Sequence, residues 1–484
     1  MADAASIFSA AGDGLIAVVK RDCPTCDLVG PVLAGLQASG AVTVYSQDDP
    51  TFPEAVKAVR DDRDLDASYR LNVEIVPTLV RVEGGREVDR TYGWDRAEWA
   101  RVAGQPVGLD LPPTRPGCGA ANVEPAANRL LRIRYGETGL NARRIDLGSA
   151  EDPIEAAFER GWSDGLPVTP PTEARVLAML EGTSRAADEI VGIVPPNLDP
   201  CSVEKAAINA VMAGCKPEYF PVVLAALEAV LDPAFNIHGV LATTMYVGPV
   251  LIVNGPIAQR IGMNGKHNAL GQGNRANLTI GRAVQLIVRN VGGGKPGGID
   301  RAALGNPGKL SYCFCEDEAG SIWTPLATDF GFKAGDNVVT AFAGYGLQGV
   351  VDQKSREPES LARSMAASLK AINNVKAWPA ADAILVVCPE HERTFKAAGW
   401  SKADLLARLT ALTTGPADPL IQGEDGIAEG LGVGMRGKTV KKFRDGGLML
   451  VRAGGGAGMF SGIIAGWSAS GDRGSVPVAK PIRG

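Results

Sequence analysis

Two cysteines three positions apart are the residues whose type and spacing point most directly to chemistry. Cys23 and Cys26 occur in the stretch CPTC, where an apolar run ends and a helical pattern begins. A thiol at a helix N-terminus lies in a positive field, so its thiolate is favoured and Cys23 becomes nucleophilic. Cys26, one turn later, can attack a mixed disulfide on Cys23 and release it. The pair predicts a redox-active disulfide, with half of a zinc site and a decayed docking domain as alternatives.

A third cysteine follows in a Pro/Gly-rich stretch, residues 106–150, which we interpret as a connector. Cys118 lies between two glycines that leave its sulfur open. On a flexible segment it could act as a relay that receives electrons from Cys23 and Cys26, or it could be an incidental loop cysteine. Both interpretations stay open.

A second candidate site lies on the stretch DPCSVEKAAINAVMAGC, which the pattern predicts to be one buried helix with Asp199 as its cap and Gly214 at its end. One polar stripe at helical spacing runs through it, formed by Cys201, Lys205 and Asn209. Because buried lysines are rare unless they are paired, we interpret Lys205 as a catalytic candidate and Asn209 as a substrate-binding one. The alternative is a lysine that reaches the surface or pairs with an internal carboxylate.

Three apolar runs, PVLIV, ADAILVV and GLMLV, end in polar or glycine-rich junctions, and a helical segment is predicted after each. Ligands collect at the carboxyl ends of strands in parallel sheets, so these junctions are further candidate sites. His391, in the second junction, is a catalytic candidate for proton transfer. The substrate-binding candidates at the first and third junctions are Asn254, Gly455, Gly456 and Ser461, the last three because backbone N–H groups and a hydroxyl can hold an oxyanion.

The loop between the first two junctions is dense in amides and cations next to glycines. This composition suits an anionic or carbonyl-bearing ligand. The alternative is an irregular surface loop in which asparagines adopt left-handed turns. The substrate-binding candidates in this loop are Asn264, His267, Asn268, Arg275 and Asn277.

The composition bounds the class of protein. A chain of 484 residues with 45% hydrophobic and 21% charged residues is expected to form two or three globular domains. A net charge of −5 argues against nucleic acid and anionic membranes as partners. No apolar run is long enough to span a bilayer and the N-terminus does not resemble a signal peptide, so we expect a cytoplasmic protein. Its eight cysteines are then more often thiols or ligands than structural bridges, and whether a metal is bound stays open.

The order of elements predicts an α/β protein. Continuous apolar strands alternating with helices favour a large α/β substrate domain over residues 151–484 with a mostly parallel sheet. Whether this domain is subdivided into 151–375 and 376–484 stays open.

The chain resembles two known groups of proteins. Residues 1–105 resemble the thioredoxin fold, through CPTC at a strand-to-helix junction and VPT at 76–78. In that family the proline of such a motif is cis and faces the disulfide, which implies a place at the substrate site for Pro77. Residues 106–484 resemble an uncharacterised bacterial family in the stretches RPGCG, GWSDGLPVTPPT, VEKAAINAVMAGC, VNGP and CPEH, and this likeness implies one functional unit without naming a substrate.

Together these patterns predict a thiol-dependent oxidoreductase and a homo-oligomer. The thioredoxin-like part would supply reducing equivalents, taken from a thiol or a thioredoxin-reductase-type donor, for the reduction or cleavage of a small polar molecule in the large domain. Beyond the redox-active cysteine pair no cofactor is specified. Two alternatives stay open: a lyase or hydratase that uses Lys205 and His391 for acid–base chemistry with the redox part as a sensor, and a non-catalytic, redox-controlled binding protein.

Overall fold

The computed structural model describes residues 4–468 and 474–483 of a mixed α/β protein. The chain divides into two compact units, Met1–Gly139 and Leu140–Gly484. Within the described residues, none of the helices combines the length and the apolar character needed to cross a bilayer.

The first unit contains nine strands and five helices among its described residues. Its strands are β1 Gly14–Val19, β2 Val42–Ser46, β3 Val59–Asp61, β4 Ile75–Val76, β5 Thr78–Glu83, β6 Arg86–Tyr92, β7 Trp94–Asp95, β8 Thr114–Arg115 and β9 Cys118–Gly119. Its helices are α1 Ala5–Ala11, α2 Pro24–Ala38, α3 Asp66–Arg70, α4 Arg96–Ala103 and α5 Pro125–Arg134, with a 3-10 turn at Ala121–Val123.

A five-stranded sheet in the order β3-β2-β1-β5-β6 forms the centre of this unit. Strands β1, β2 and β3 pair in parallel, whereas β5 pairs antiparallel with both β1 and β6. The run LIAVV of β1 is buried along its whole length, as expected of a central strand covered on both faces. Helix α2 therefore starts just beyond the carboxyl end of the central strand of the sheet.

Residues that the sequence predicts to be a connector are paired into the first unit. Strand β8 pairs with β7, and β9 pairs with β4 so that Cys118 lies opposite Val76. The Thr25 hydroxyl donates to the Pro116 carbonyl over 2.6 Å. A side chain at Gly117 would meet the Val76 carbonyl oxygen at 2.7 Å, so only glycine allows this close approach. Cys118 is thus held on a short strand that pairs with β4.

The second unit contains eleven strands and ten helices among its described residues. The strands are β10 Ile190–Val194, β11 Asp199–Ser202, β12 Gly248–Asn254, β13 Cys313–Cys315, β14 Val338–Val351, β15 Ala381–Val387, β16 Thr414–Pro416, β17 Thr439–Lys441, β18 Leu448–Arg452, β19 Phe460–Ser468 and β20 Val478–Pro481. The helices are α6 Pro153–Glu159, α7 Glu173–Leu180, α8 Val203–Ala213, α9 Phe220–Leu231, α10 Ile237–Ala242, α11 Pro256–Arg260, α12 Arg275–Asn290, α13 Pro358–Ala371, α14 Pro389–Ala397 and α15 Lys402–Leu412. Its 3-10 turns are Pro217–Tyr219, Pro307–Lys309, Glu318–Gly320, Leu326–Phe330, Asp418–Leu420, Glu424–Gly426 and Val433–Met435.

The main sheet of this unit is mixed, which corrects the expectation of a mostly parallel one. Its strand order is β13-β12-β14-β19-β15-β18, with β20 also paired to β14. Only β12–β13 and β15–β18 are parallel, and the four remaining described pairings are antiparallel. The difference arises at the third junction, where the segment predicted to be helical forms β19 between β14 and β15. An apolar strand buried on both faces has the same sequence pattern in either direction, so the pattern could not settle the pairing.

Helices and a shared core cover the two faces of the sheet. Helices α8, α9 and α12 pack on the half that contains β12, and α13, α14 and α15 pack on the half that contains β15. The opposite face of both halves contributes to one cluster of buried side chains, which includes Ile252, Phe314, Phe342, Ile384, Val451 and Ile464. The edge strands come together where the Asp317 N–H donates to the Arg452 carbonyl over 2.9 Å. The strand-end junctions are therefore close to one another in space.

Helix α8 is the buried helix that the sequence predicts, but it begins later. Gly214 ends it in the left-handed region with φ 90°, as expected. Asp199 lies on β11 and caps nothing there, because this segment pairs with β10. The cap is Ser202, whose hydroxyl accepts from the Lys205 N–H over 3.2 Å.

Replacing this cap tests the start of the helix. Ser202→Ala should lower the free energy of unfolding of the second unit by about 1 kcal/mol, since an N-cap hydroxyl satisfies an otherwise unpaired amide. Asp199→Ala is the matched control and should change it much less. Urea unfolding followed by circular dichroism measures both. A larger loss of unfolding free energy in the Asp199 variant would show that Asp199 is the cap.

Candidate functional site

Three thiols converge in the first unit, and we call Cys23, Cys26 and Cys118 the three-thiol site. Cys23 is the N-cap of α2, and its sulfur accepts from the Cys26 N–H over 3.4 Å. Interactions with the Cys26 and Cys118 side chains lower the pKa of the Cys23 thiol. That sulfur also lies 3.5 Å from the carbonyl oxygen of Val76, the residue paired with Cys118.

The three thiols differ in the direction in which their surroundings shift the pKa. The hydrogen bond from Cys26, with those from Cys118 and the backbone, outweighs burial and lowers the pKa of Cys23 to about 5. Burial and the neighbouring Cys23 sulfur raise the pKa of Cys26 far above its usual value. The hydrogen bond to Cys23 and partial burial raise the pKa of Cys118. Cys23 is therefore the most acidic of the three thiols.

Access to these thiols is unequal. Cys23 and Cys26 are 1% and 0% exposed, whereas Cys118 is partly exposed. The predicted substrate-binding residue Pro77 follows Val76 through a cis peptide bond and so borders the same site. The segment that carries Cys118 occupies the edge of β4 in the way that an external chain occupies a sheet edge by β-augmentation.

The hydrogen bond from Thr25 tethers the segment that carries Cys118, and one substitution removes it. Thr25→Val removes the hydroxyl that binds the Pro116 carbonyl and keeps the size of the side chain. We expect alkylation of Cys23 by iodoacetamide at pH 7 to rise several-fold, because the thiolate is already formed and only access limits it. Thr43→Val on β2 is the matched control and should leave the rate unchanged. Equal rates in all three proteins, measured by peptide mass spectrometry, would show that the tether does not restrict access.

The three polar residues predicted to share one face of the buried helix do not share a face. Cys201 precedes the helix on β11 and is buried. Lys205 is exposed, and its ammonium donates to the Pro200 carbonyl over 3.0 Å. Asn209 is buried and donates to the Lys205 carbonyl over 2.9 Å. Since helix formation begins only at Val203, the three side chains separate, and the alternative of a surface lysine describes Lys205.

Asn209 instead lines a cavity of about 530 Å³ in the second unit. Its amide oxygen accepts from the Asn290 side chain over 2.9 Å, and Asn290 also donates to the Trp162 carbonyl over 3.0 Å. Apolar side chains form much of the wall, among them Leu140, Trp162, Val176, Ile208 and Met212. The motif GWSDGLPVTPPT was the sequence signal for this cavity, because Trp162 and the prolines at 170 and 171 come from it.

A buried carboxylate holds one wall of this cavity in place. Glu204 is 3% exposed and accepts from the Asn141 and Ala142 N–H groups over 2.9 Å each. The following residues, Arg143 and Arg144, also line the cavity. The segment after residue 140 therefore closes over the cavity through Glu204.

Glu204→Gln tests this attachment. The amide offers one acceptor oxygen where the carboxylate offers two, so the bonds to the 141–142 backbone weaken. We expect tryptic cleavage after Arg143 and Arg144 to become several-fold faster, as resolved by mass spectrometry of the fragments. Glu218→Gln, an exposed residue paired with Lys216, is the matched control. Unchanged cleavage would mean that other contacts hold the segment.

The predicted ligand loop is held together by its own amides. Asn277 is buried on α12 and donates to the Asn264 and Ala269 carbonyls, while its oxygen accepts from the Asn264 N–H. Asn268, with φ 58°, donates to the Gln272 carbonyl. Arg275 donates to the Gly214 carbonyl. The alternative that asparagines stabilise left-handed and irregular backbone therefore accounts for most of these side chains.

Charged side chains join the strand ends in what we call the junction network. Asn254 is fully buried and donates to Glu316 over 2.7 Å and to Glu318 over 2.9 Å. Arg452 binds Asp317 at 2.5 Å and Glu392 on α14 at 2.9 Å. Burial raises the pKa of Glu316 to about 7. Asn254 thus serves a buried structural network, in which one acid titrates near neutrality.

The glycine-rich third junction lies against the loop. The Gly454 N–H donates to the Gly265 carbonyl over 2.9 Å. A side chain at Gly455 would meet the exposed His267 ring at 2.5 Å, whereas Gly456 has open space around it. The structure therefore brings His267 and Gly455 together, and it leaves the Gly456 backbone exposed.

His391 lies on α14 and is completely buried, between Asp352, which follows β14, and Ser461 on β19. Its Nε2 lies 3.0 Å from the Asp352 carbonyl oxygen, and its Nδ1 lies 2.7 Å from the Ser461 hydroxyl. The same hydroxyl accepts from the Cys388 N–H over 3.1 Å. The structure therefore places the predicted residues His391 and Ser461 within hydrogen-bond distance of each other, and Cys388 joins them through its backbone N–H. Lys205 is not part of this group and instead donates to the Pro200 carbonyl.

All eight cysteines are free thiols. In the described part of the chain, no group of three or more His, Cys, Asp or Glu side chains is arranged to hold a metal ion. Comparison of the chain with protein-family models, curated proteins and solved structures finds no significant match.

Proposed function

We propose that the protein is a thiol–disulfide oxidoreductase whose first unit exchanges disulfides at the three-thiol site. The observation that carries the proposal is the position of Cys23: it is the N-cap of α2, its sulfur accepts from the Cys26 N–H over 3.4 Å, and it lies 3.5 Å from the carbonyl oxygen of Val76, the residue paired with Cys118. A nucleophilic sulfur with two protonated thiols beside it has the components of exchange and resolution.

We also propose that the first unit is thioredoxin-like. Three features support the likeness: the CPTC motif at the start of α2, the cis peptide before Pro77 beside it, and a central sheet in which parallel and antiparallel strands meet at β1.

The proposed exchange begins at Cys118, the most accessible of the three sulfurs. Transfer of its proton to the Cys23 thiolate leaves a Cys118 thiolate, which attacks an external disulfide. A bond forms between Cys118 and one sulfur of that disulfide, and the other sulfur leaves as a thiolate that takes up a proton from solvent. Exposure thus favours Cys118 for the external step, although Cys23 has the lower pKa.

The next two steps move the disulfide inward. As Cys23 attacks the Cys118 sulfur, its proton passes to the second external sulfur, so a Cys23–Cys118 bond forms and the second external thiol leaves. Cys26 then gives up its proton and attacks Cys23, which forms Cys23–Cys26 and frees Cys118. One external disulfide is reduced to two thiols, and one internal disulfide forms. A thiol or thioredoxin-reductase-type donor would complete the cycle by reducing it.

The proposal extends to the second unit as a destination for reducing equivalents. A small polar molecule that is reduced or cleaved there would find Asn209 in the wall of the cavity. The lyase or hydratase alternative would depend on His391, because Lys205 is exposed and bound to the Pro200 carbonyl. The non-catalytic alternative would keep ligand binding without exchange.

Trapping the intermediate tests the proposal. In Cys26→Ser the last attack is lost, so a Cys23–Cys118 disulfide should accumulate to the majority of molecules after one equivalent of diamide. Peptide mapping under non-reducing conditions measures it. The wild type should instead contain Cys23–Cys26, and the Cys26→Ser/Cys118→Ser double variant is the control in which neither bond can form.

Two results would contradict the proposal. Recovery of Cys23 only in mixed disulfides with added thiols would remove Cys118 from the exchange. Alternatively, reduction of an external disulfide such as oxidised glutathione could proceed at the wild-type rate in Cys118→Ser, which would show that Cys118 is incidental.

A further inference from the structure

The cavity that Asn209 lines is built from elements that lie far apart in the chain. Helices α6, α7, α8 and α12 each contribute side chains to it, together with the segments that precede α6 and α7. Its volume of about 530 Å³ lies in the range of pockets that bind small molecules. Because the packing of four helices forms this cavity, its lining defines a fixed set of groups that a ligand has to match.

Two amides form the most buried polar part of the lining, and one of their oxygens has no partner. Asn209 is 4% exposed, and its oxygen accepts from the Asn290 side chain over 2.9 Å. The Asn290 N–H groups are occupied, because they also donate to the Trp162 carbonyl over 3.0 Å. The Asn290 oxygen is buried, and no group among the described residues donates to it. Since a buried acceptor without a donor is destabilising, a hydrogen-bond donor on a bound molecule would stabilise this part of the cavity.

Flat and rigid apolar groups make up much of the remaining wall. One tryptophan and three prolines contribute to it, namely Trp162, Pro153, Pro170 and Pro171. Aliphatic side chains, among them Val176, Ile208 and Met212, complete this wall. An aromatic ring buries a large apolar area and loses little conformational freedom when it packs on such a surface. The wall therefore favours a ligand with an aromatic body over one with a flexible chain.

Five charged side chains line the cavity, and three of them are occupied by other groups of the protein. Arg144 pairs with Glu173 over 2.6 Å, and Glu204 accepts from backbone N–H groups. The other two, Arg143 and Asp146, are exposed, and in the described part of the chain neither side chain has an ion-pair or hydrogen-bond partner. A cation and an anion three positions apart on one wall segment are complementary to a molecule that carries both charges.

We propose that this cavity binds an α-amino acid whose aromatic side chain carries an N–H or O–H group. Arg143 holds the carboxylate and Asp146 holds the ammonium group at the exposed side of the cavity. The ring packs on the wall that contains Trp162, and its N–H or O–H group donates to the Asn290 oxygen. A reaction of the bound amino acid would rest on the proposed function, whereas the binding itself does not require disulfide exchange in the first unit.

The charges of the lining also argue against a phosphorylated ligand. The lining contains two arginines and three carboxylates, and one of the arginines is already paired. A phosphate carries up to two negative charges and would meet more acidic than basic groups in this cavity. An amino acid has no net charge at neutral pH, so it is compatible with Arg143 and Asp146 together.

Calorimetric titration of the full chain with L-tryptophan tests the proposal, and three analogues each remove one group of the ligand. Indolepropionate lacks the ammonium group, tryptamine lacks the carboxylate, and the analogue methylated at the indole nitrogen lacks the N–H donor. Each analogue should bind about fivefold more weakly than L-tryptophan or worse, because it leaves one group of the protein without its partner. The titration contains no disulfide, so failure of the exchange in the first unit would not change its result.

Two variants assign the charged groups of the ligand to their partners. Arg143→Gln should weaken L-tryptophan binding about fivefold and leave tryptamine binding unchanged, because tryptamine has no carboxylate. Asp146→Asn should weaken L-tryptophan binding to a similar extent and leave indolepropionate binding unchanged. Both residues are exposed, so both variants are expected to fold. Arg260→Gln replaces an exposed arginine outside the cavity lining and is the matched control, which should leave every affinity unchanged.

Three results would overturn the proposal. The first is a dissociation constant weaker than about 1 mM for both L-tryptophan and L-tyrosine, which would show that the cavity does not select such amino acids. The second is an analogue that binds as tightly as L-tryptophan, since the missing group would then have no partner in the protein. The third is unchanged L-tryptophan affinity in the Arg143 or the Asp146 variant, which would place the ligand away from these two side chains.

Discussion

A charged sulfur inside a folded protein has to receive hydrogen bonds, because an unpaired buried charge is strongly destabilising. The first unit is arranged around this constraint. The Cys23 sulfur accepts from the Cys26 N–H in the first turn of its helix, and the Cys26 and Cys118 side chains further lower its pKa. The strand that presents Cys118 needs Gly117 to approach Val76 and needs Thr25 to hold it. Pairing at the edge of β4 is therefore part of what stabilises the thiolate.

The second unit meets a similar constraint with fixed charges. The side chain of Arg452 is 9% exposed and lies between Asp317 and Glu392, which come from different elements. Removing one member of such a group leaves a buried charge without a partner, and this is more destabilising than replacing the whole group would be. The network therefore favours one arrangement of the strand ends, and with it one position of α14 relative to the glycine-rich junction.

Sequence reasoning succeeded where neighbours in the chain decide the structure. The N-terminal position of Cys23 on a helix and the end of α8 at Gly214 are confirmed, because caps depend on a few adjacent residues. Predictions from the sequence were wrong where pairing with a segment distant in the chain decides the structure. Pairing of β11 with β10 moved the start of α8 from Asp199 to Ser202, and the position between two antiparallel strands made Phe460–Ser468 a strand. The surroundings of Cys118 follow from long-range pairing and had no local signal.

The placement of Cys118 opposite Val76 also bears on competition with other thiols. Groups joined within one fold meet at an effective concentration that is far higher than that of a dilute reagent, on the order of millimolar even for flexible tethers. A thiol on a fixed strand has a higher effective concentration than one on a flexible tether, because it is already positioned next to its partner. The low-molecular-weight thiols of a cell would thus compete poorly for a disulfide at Cys23, and the site would be kinetically insulated from the surrounding thiol pool.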